Sequence, residues 1–309
     1  MINSLSVCVP TYNRNTLLKR FYNSLKNQNY KIKIIIEIVF VDDGSSDNTS
    51  NLIKELINEK IFKIKYIYQK NSGRSSALRK AISNASMDYS IIMDDDCYFL
   101  NDFFHILYNL KKNINNIDDV AGFAFLRKDE NGKIIGNLFK KNYLLTDLIT
   151  IRSRYKKKGD IAEITKTQIL KNNLYQNYEN EKRMPTGVIW LKISEKYTYY
   201  FINEAIRVTP YLQDGISKNL RIHKLKSPNS TLYYYTLLLQ NKNISIFEKF
   251  RVMVEFTRYF IIIPNKNRFN HLKTINKLNK LIILILSPLG FIFMLTDKYF
   301  ANSTRQKIR

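Results

Sequence analysis

Apolar and polar positions change places in regular blocks over the first hundred residues. Leu5 to Val9 is a short apolar run that stops at Pro10, after which Leu17, Phe21 and Leu25 recur at helical spacing. Ile34 to Val41 is nearly continuous and rich in β-branched residues, the pattern of a strand covered on both faces. The turn Asp42-Asp43-Gly44-Ser45-Ser46-Asp47 ends in a residue able to cap a helix that carries Leu52, Ile53, Leu56 and Ile57. Ile64 to Tyr68 predicts a third strand, Leu78, Ala81, Ile82 and Ala85 a third helix, and Tyr89 to Met93 a fourth strand. Strands joined by helices predict an α/β fold: a mostly parallel sheet with right-handed crossovers and helices on both faces.

In such a sheet ligands bind beyond the carboxyl ends of the strands. Those ends carry Pro10-Thr11-Tyr12-Asn13, Asp42-Asp43-Gly44-Ser45 and Asp94-Asp95-Asp96, so polar residues far apart in sequence are expected on one edge. Three aspartates in a row repel one another and resist ionising together. A divalent cation offsets that repulsion, and Mg²⁺ or Mn²⁺ prefers carboxylate oxygens while keeping positions open for water and substrate phosphates. Each motif alone is also an ordinary turn. Their order at successive strand ends is what carries information.

Composition narrows the class. The chain has 309 residues, 45% of them hydrophobic, enough for an enzyme-sized core with an appendage. Cys8 and Cys97 both lie in apolar runs, which predicts buried thiols, no disulfide framework and a reducing, cytoplasmic setting. The first residues enter a strand pattern without the basic start and apolar stretch of a secretory signal, so the chain is expected to remain where it is made. His105, His223 and His271 form no metal-type spacing. A net charge of +24 implies an anionic partner, and it is uneven: from Arg221 onward sixteen Lys or Arg face three acids. Charge alone admits a nucleic-acid binder. The basic residues gather beside apolar helices rather than along a recognisable RNA or DNA module, so no nucleic-acid partner is expected.

Four segments, taken in order, resemble the inverting family 2 glycosyltransferases of the GT-A fold. They are Val7-Cys8-Val9-Pro10-Thr11-Tyr12-Asn13-Arg14, Val39 to Asp47, Asn71-Ser72-Gly73-Arg74 leading to Ala77-Leu78-Arg79, and Met93-Asp94-Asp95-Asp96. The resemblance implies a nucleotide-sugar donor, with uracil the preferred base and thus a UDP-sugar. It implies that Pro10, Thr11, Tyr12 and Asp42 frame the base, that Asn71 and Arg79 help hold the donor, and that Asp94 and Asp95 face it. Asp94 and Asp96 would form the DxD pair that binds the diphosphate through Mn²⁺ or Mg²⁺. A nucleotidyltransferase of similar fold is the rival within enzymes, but the glycine-rich first loop usual there is missing.

Residues 100–220 resemble a subgroup from bacterial surface-polysaccharide clusters, through Gly159-Asp160-Ile161-Ala162-Glu163, Glu181-Lys182, Pro185 and Asn203 to Val208. A glycan or lipid-linked acceptor is therefore expected. Inverting transfer needs a general base at the acceptor hydroxyl. Relatives often place an acid at the start of a helix at this point, where this chain has Thr186 ahead of Gly187-Val188. Glu181, Glu179 and Asp214 remain as candidate bases, and an inactive scaffold is the alternative. The Gln/Arg-x-x-Arg-Trp motif of processive synthases is absent after Thr186, which favours transfer of one or few sugars.

The division expected is a catalytic region at 1–220 and a helical, basic, amphipathic region at 221–309. Ile246, Phe250, Met253, Val254, Thr257, Phe260 and Ile261 recur at three- and four-residue steps and predict an amphipathic helix. Leu281 to Leu295 is apolar but shorter than the ~20 residues that cross a bilayer. With Lys273, Lys277 and Lys280 before it and Lys298, Arg305, Lys307 and Arg309 after it, it predicts a segment lying at an anionic membrane surface, on the inner face of the cell membrane.

Overall fold

The computed structural model describes residues 2–28, 34–113, 119–210, 220–263 and 270–306. The chain forms two compact units. The first comprises Met1–Leu174 and Lys196–Tyr211, the second Tyr175–Glu195 and Leu212–Arg309. The segment carrying Glu179 and Glu181 thus belongs with the C-terminal helices.

In the first unit the alternation of apolar blocks becomes strand and helix nearly residue for residue. β1 (Ser4–Thr11), β2 (Ile35–Asp42), β3 (Lys63–Tyr68) and β4 (Tyr89–Ile92) pair in parallel in the order β3-β2-β1-β4. The helices between them are α1 (Asn15–Lys26), α2 (Thr49–Asn58) and α3 (Arg74–Asn84). α1 buries Leu18, Phe21, Tyr22 and Leu25, and Asp47 Oδ1 accepts the Thr49 amide at 3.0 Å where α2 begins. Beyond α4 (Phe103–Asn113) the sheet turns mixed. It continues through β8 (Ala162–Lys166), antiparallel to both β4 and β6 (Val120–Lys128), and then β9 (Thr198–Val208), parallel to β6. β5 (Tyr98–Phe99) and β7 (Leu144–Thr146) pair antiparallel with β9, closing a nine-stranded sheet among the described residues. Short helices α5 (Thr150–Ser153) and α6 (Thr167–Asn172) flank β8. All-parallel pairing therefore holds for the first four strands, and the rest of the sheet is mixed, with β8 antiparallel to both neighbours and β6 parallel to β9.

The second unit contains α7 (Gly187–Ile193), α8 (Leu220–Lys226), α9 (Pro228–Gln240), α10 (Ile246–Phe260) and α11 (Lys277–Gln306). Its core joins Leu232, Tyr235 and Leu239 to Val252, Met253, Phe256, Tyr259 and Ile283. Two expectations change here. The apolar stripe of α10 divides, since Val252, Met253, Phe256 and Tyr259 are buried but Ile246 and Phe250 are 86% and 52% exposed. The C-terminal helix is also longer than the sequence stretch implied. Lys277–Asp297 is a 21-residue apolar span, long enough to cross a membrane by length and composition, because Pro288 lies within the helix without ending it. The argument from insufficient length therefore fails.

A charge is built into the middle of the parallel sheet. Glu37 on β2 is fully buried, and its carboxylate accepts from Ser6 Oγ at 2.6 Å, Ser86 N at 2.7 Å and Ser86 Oγ at 2.7 Å, with Lys65 Nζ at 2.9 Å. Burial alone raises a carboxyl, but these donors outweigh it and hold Glu37 at about 2, below its ordinary 4.5. A depressed value contributes stability that is complete above about 4.5 and disappears as pH falls toward about 2. Glu37→Gln is expected to cost about 2 kcal/mol at neutral pH, the scale of unmade buried hydrogen bonds. Denaturant melts at pH 7 and pH 3 should show the gap to the wild type narrowing at the lower pH.

Candidate functional site

The carboxyl ends of β1, β2 and β4 and the start of α3 meet on one edge of the first unit, tied together by short polar contacts. Asp43 N donates to Thr11 O at 2.9 Å, joining the ends of β1 and β2. Asn13 Oδ1 accepts Ser46 N at 2.8 Å, and Asn13 N donates to Ser45 Oγ at 2.9 Å. The Asp43 carboxylate reaches the next motif: it accepts Gln69 Nε2 and Ser72 N at 2.8 Å each and Gly73 N at 2.9 Å, arranging the entry to α3. Gly44 permits this packing. Its φ is +84°, and a Cβ there would meet Asn71 N at 2.9 Å. Arg74, the first residue of α3, then donates through Nε to Asp94 Oδ1 at 2.9 Å, linking α3 to the end of β4.

Among the residues expected at the site, Asp42 is fully buried, its carboxylate accepting Ser45 N at 2.8 Å and Tyr66 Oη at 3.0 Å. Pro10 and Thr11 are buried at the end of β1, whereas Tyr12 is 47% exposed and offers its ring to the edge. Asn71 is half-buried in the loop before α3, and Arg79 is exposed further along that helix. Asp94, Asp95 and Asp96 are half-buried side by side.

The environments of those three aspartates differ. Burial raises each of them. At Asp94 the guanidinium of Arg74, then those of Arg207 and Arg127, overcome burial and hold the carboxyl at about 2. Burial and the charges of Asp96 and Asp94 push Asp95 up to about 7, and burial with the Asp94 charge raises Asp96. Arg20 anchors the loop from below, stacking over the Tyr98 ring at 4.6 Å and donating to Asp96 O at 2.7 Å. The other cations come from the mixed half of the sheet. Arg127 on β6 and Arg207 on β9 are register partners. Arg207 is 2% exposed and donates to Ile92 O at 2.6 Å, directly beneath the aspartates. Glu163 on β8 is buried and raised by burial, with Arg127, Arg207 and Arg152 acting against that shift. Arg74, Arg127 and Arg207 are the site residues that motif reading did not single out. Arg74 and Arg207 stand inside the quoted segments, but only strand register brings Arg127 and Arg207 to Asp94.

Asp94 and Asp96 stand two positions apart on a part-exposed loop, a donor set that suits Mg²⁺ or Mn²⁺. No group of three Asp, Glu, His or Cys converges among the described residues, so diphosphate oxygens and water would complete the coordination. Cys8 and Cys97 are buried free thiols, as expected.

The candidate bases are placed differently. Glu181 is committed within the second unit: Oε1 accepts Asn229 N at 2.8 Å and Asn229 Nδ2 at 2.9 Å, and Oε2 accepts Ser230 N at 2.8 Å. It satisfies the free amides at the N-terminus of α9, whose own N-cap Ser227 makes no side-chain cap bond. Glu179 is exposed. Asp214 lies outside the described residues. Thr186 is the N-cap of α7, as the sequence pattern indicated.

Because Asp43 accepts three bonds that arrange the entry to α3, Asp43→Ala is expected to destabilise the first unit by about 2 kcal/mol. It should also speed amide exchange at Ser72 and Gly73 relative to the centre of β2. Unchanged exchange at those two amides would contradict its bracing role.

The comparisons agree with this geometry. The model of glycosyl transferase family 2 matches residues 6–179. The GalNAc(5)-diNAcBac-PP-undecaprenol beta-1,3-glucosyltransferase of Campylobacter jejuni is 28% identical over 233 residues, covering 70% of this chain and 69% of that one. Three further curated relatives are longer proteins, of which this chain spans 16%, 20% and 29%. Among solved structures, residues 1–349 of S. aureus TarS in complex with UDP-GlcNAc superimpose with a TM-score of 0.63 at 17% identity, covering 98% of this chain and 92% of that one. The mannosyltransferase PcManGT from Pyrobaculum calidifontis, in complex with GDP-Man and Mn²⁺, gives 0.54 at 13% identity, with 99% and 87% covered. With the family matched over more than half of its length and the four motifs joined on one edge of a GT-A sheet, the chain belongs to glycosyl transferase family 2 and is a glycosyltransferase.

Proposed function

We propose that this enzyme transfers a sugar, with inversion, from a UDP-sugar to a glycan or lipid-linked acceptor in bacterial cell-surface glycan synthesis. The observation that carries the reading is the continuous hydrogen-bonded edge from Asn13 through Ser45 and Asp43 to Gly73, Arg74 and Asp94. It sets an exposed aromatic ring at one end and carboxylates at the other, the arrangement a nucleoside diphosphate requires. Tyr12 stacks on the base, Asp42 holds the turn beneath it, and Asn71 and Arg79 grip the donor. The undecaprenol-linked substrate of the Campylobacter relative supports the acceptor class and the UDP-GlcNAc complex of TarS supports the donor, while the GDP-Man complex of PcManGT supports a nucleotide sugar in general.

Mn²⁺ or Mg²⁺, held by Asp94 and Asp96, would neutralise the charge that develops on the departing diphosphate. The chain's own contribution is to fix that place. Arg74 keeps Asp94 ionised, and Arg20 holds the carbonyl of Asp96. For the acceptor hydroxyl a carboxylate must take up the proton as the new bond forms. Glu181 is tied to α9, so we assign that role to Glu179 or Asp214. We further propose that the enzyme works in the cytoplasm as a peripheral protein of the inner membrane face, with α11 at the interface. On that helix Asn279, Ile283, Gly290, Met294 and Asp297 form a buried stripe, and 22% of the apolar span is buried.

A hydrolysis screen over nucleotide sugars tests the donor assignment, and turnover with UDP-sugars is expected. Asp96→Ala should abolish that turnover and metal-dependent UDP binding while leaving the melting temperature unchanged. Retained Mn²⁺-dependent turnover would remove Asp96 from the metal site. Glu181→Gln should lower the melting temperature and leave turnover per folded molecule near that of the wild type. A base replaced by its amide instead loses turnover with donor affinity intact, because it acts in the transition state.

A further inference from the structure

The second unit leaves a large apolar surface open. On α11, Leu278, Leu281, Leu284, Ile285, Leu289 and Ile292 are each between 41% and 69% exposed. The first turn of α10 adds Ile246, Phe247 and Phe250 at 86%, 82% and 52%. Soluble surfaces rarely show contiguous apolar patches beyond a few hundred Å² unless they bind something.

The contacts between the two helices show how these residues are grouped. Gln240 Nε2, at the end of α9 and one short loop ahead of α10, donates to Thr274 O at 3.0 Å, three residues before α11. Further along, Gly290 lies against Thr257, where an added Cβ would sit 2.0 Å from the Thr257 hydroxyl oxygen. Beyond that, Arg258 and Arg221 both pair with the buried Asp297. Contacts advance in the same direction along both helices, so α10 and α11 run side by side and begin at the same end. That end holds Ile246, Phe247, Phe250, Leu278 and Leu281, with Lys242, Lys273 and Lys277 exposed around them. The paired acids, Glu255 and Asp297, lie toward the other end.

We propose that the first turn of α10 is a second membrane contact, so that the beginnings of α10 and α11 together form one wedge that enters an anionic leaflet. The proposal rests on the peripheral membrane reading above and adds the aromatic turn and the orientation to it. Charge decides the occupant. An apolar wedge with Lys242, Lys273 and Lys277 exposed around it, and its one acid, Glu248, occupied in the Ser245 cap, matches the acyl and headgroup layers of an anionic bilayer. It also explains why the apolar stripe of α10 divides: its later half serves the core, and its first turn serves the lipid.

The test uses the full chain and sedimentation with vesicles of phosphatidylcholine, with and without phosphatidylglycerol. Phe247→Ser combined with Phe250→Ser removes two exposed side chains and is expected to keep the melting temperature. It should reduce partitioning onto anionic vesicles by at least about tenfold, on the scale of losing burial of even one large apolar side chain. Because both native thiols are buried, Phe250→Cys can be labelled with an environment-sensitive dye, and a blue shift on anionic vesicles is expected. If the wild type binds vesicles but the double variant binds equally well and the dye does not respond, the α10 contact is rejected and the peripheral reading survives. If the wild type ignores vesicles, both fail. Two other results also overturn the wedge: an oligomer of the wild type that the double variant dissolves without change in vesicle binding, or resistance of the bound protein to alkaline carbonate extraction.

Discussion

A parallel strand delivers its last residues to the same edge as its neighbours, and in this enzyme one buried carboxylate turns that geometric fact into a site. Asp43 occupies the corner after β2, where its backbone amide reaches the end of β1 and its side chain gathers the amides of Ser72 and Gly73 before α3. Without that acceptor, the part-buried amides of Ser72 and Gly73 entering α3 would lose their partner, at a cost of about 2 kcal/mol. With it, Arg74 begins its helix where it can reach Asp94. The edge proposed to bind the donor is held together by this corner.

The second organising element is a balance of buried charge. Arg127 and Arg207 are neighbours in register, and two guanidiniums set side by side in a sheet are costly without anions close by. Asp94 lies above them, and Glu163 and Asp160 lie around them. The arginines therefore do more than stabilise the fold. After Arg74, they help keep Asp94 ionised inside a crowded acidic loop, where Asp95 and Asp96 are pushed the other way. Adjacent carboxylates with opposed shifts are a usual sign of a working site rather than a solvated turn.

Much of this was legible before any coordinates. The four parallel strands fall within two residues of the apolar runs that predicted them, because strands buried on both faces leave an unbroken hydrophobic record. The motifs at their ends were equally plain. The roles of Arg127 and Arg207 were not, since they arise from pairing between β6 and β9, some eighty positions apart, which no local pattern encodes. The contacts of Glu181 were hidden for a related reason. A carboxylate near an acceptor motif suggests a base, and only the fold shows it capping a helix nearly fifty residues later. The length of α11 escaped notice because Pro288 and Gly290 resemble a break, whereas Gly290 is where the helix presses against Thr257. That contact also means truncation before Leu281 would remove Ile283 from the helical core and leave Arg258 without Asp297, so such a variant reports on folding as much as on membranes.

The central claim is that four separated segments form one donor site. Hydrogen exchange of the intact enzyme, followed by mass spectrometry with and without UDP and Mn²⁺, tests it most directly. Protection confined to peptides covering residues 11–14, 42–47, 71–79 and 94–96, with the second unit's core helices unchanged, is the predicted result. Protection absent from these peptides while UDP is shown to bind, or located elsewhere in the chain, would contradict it.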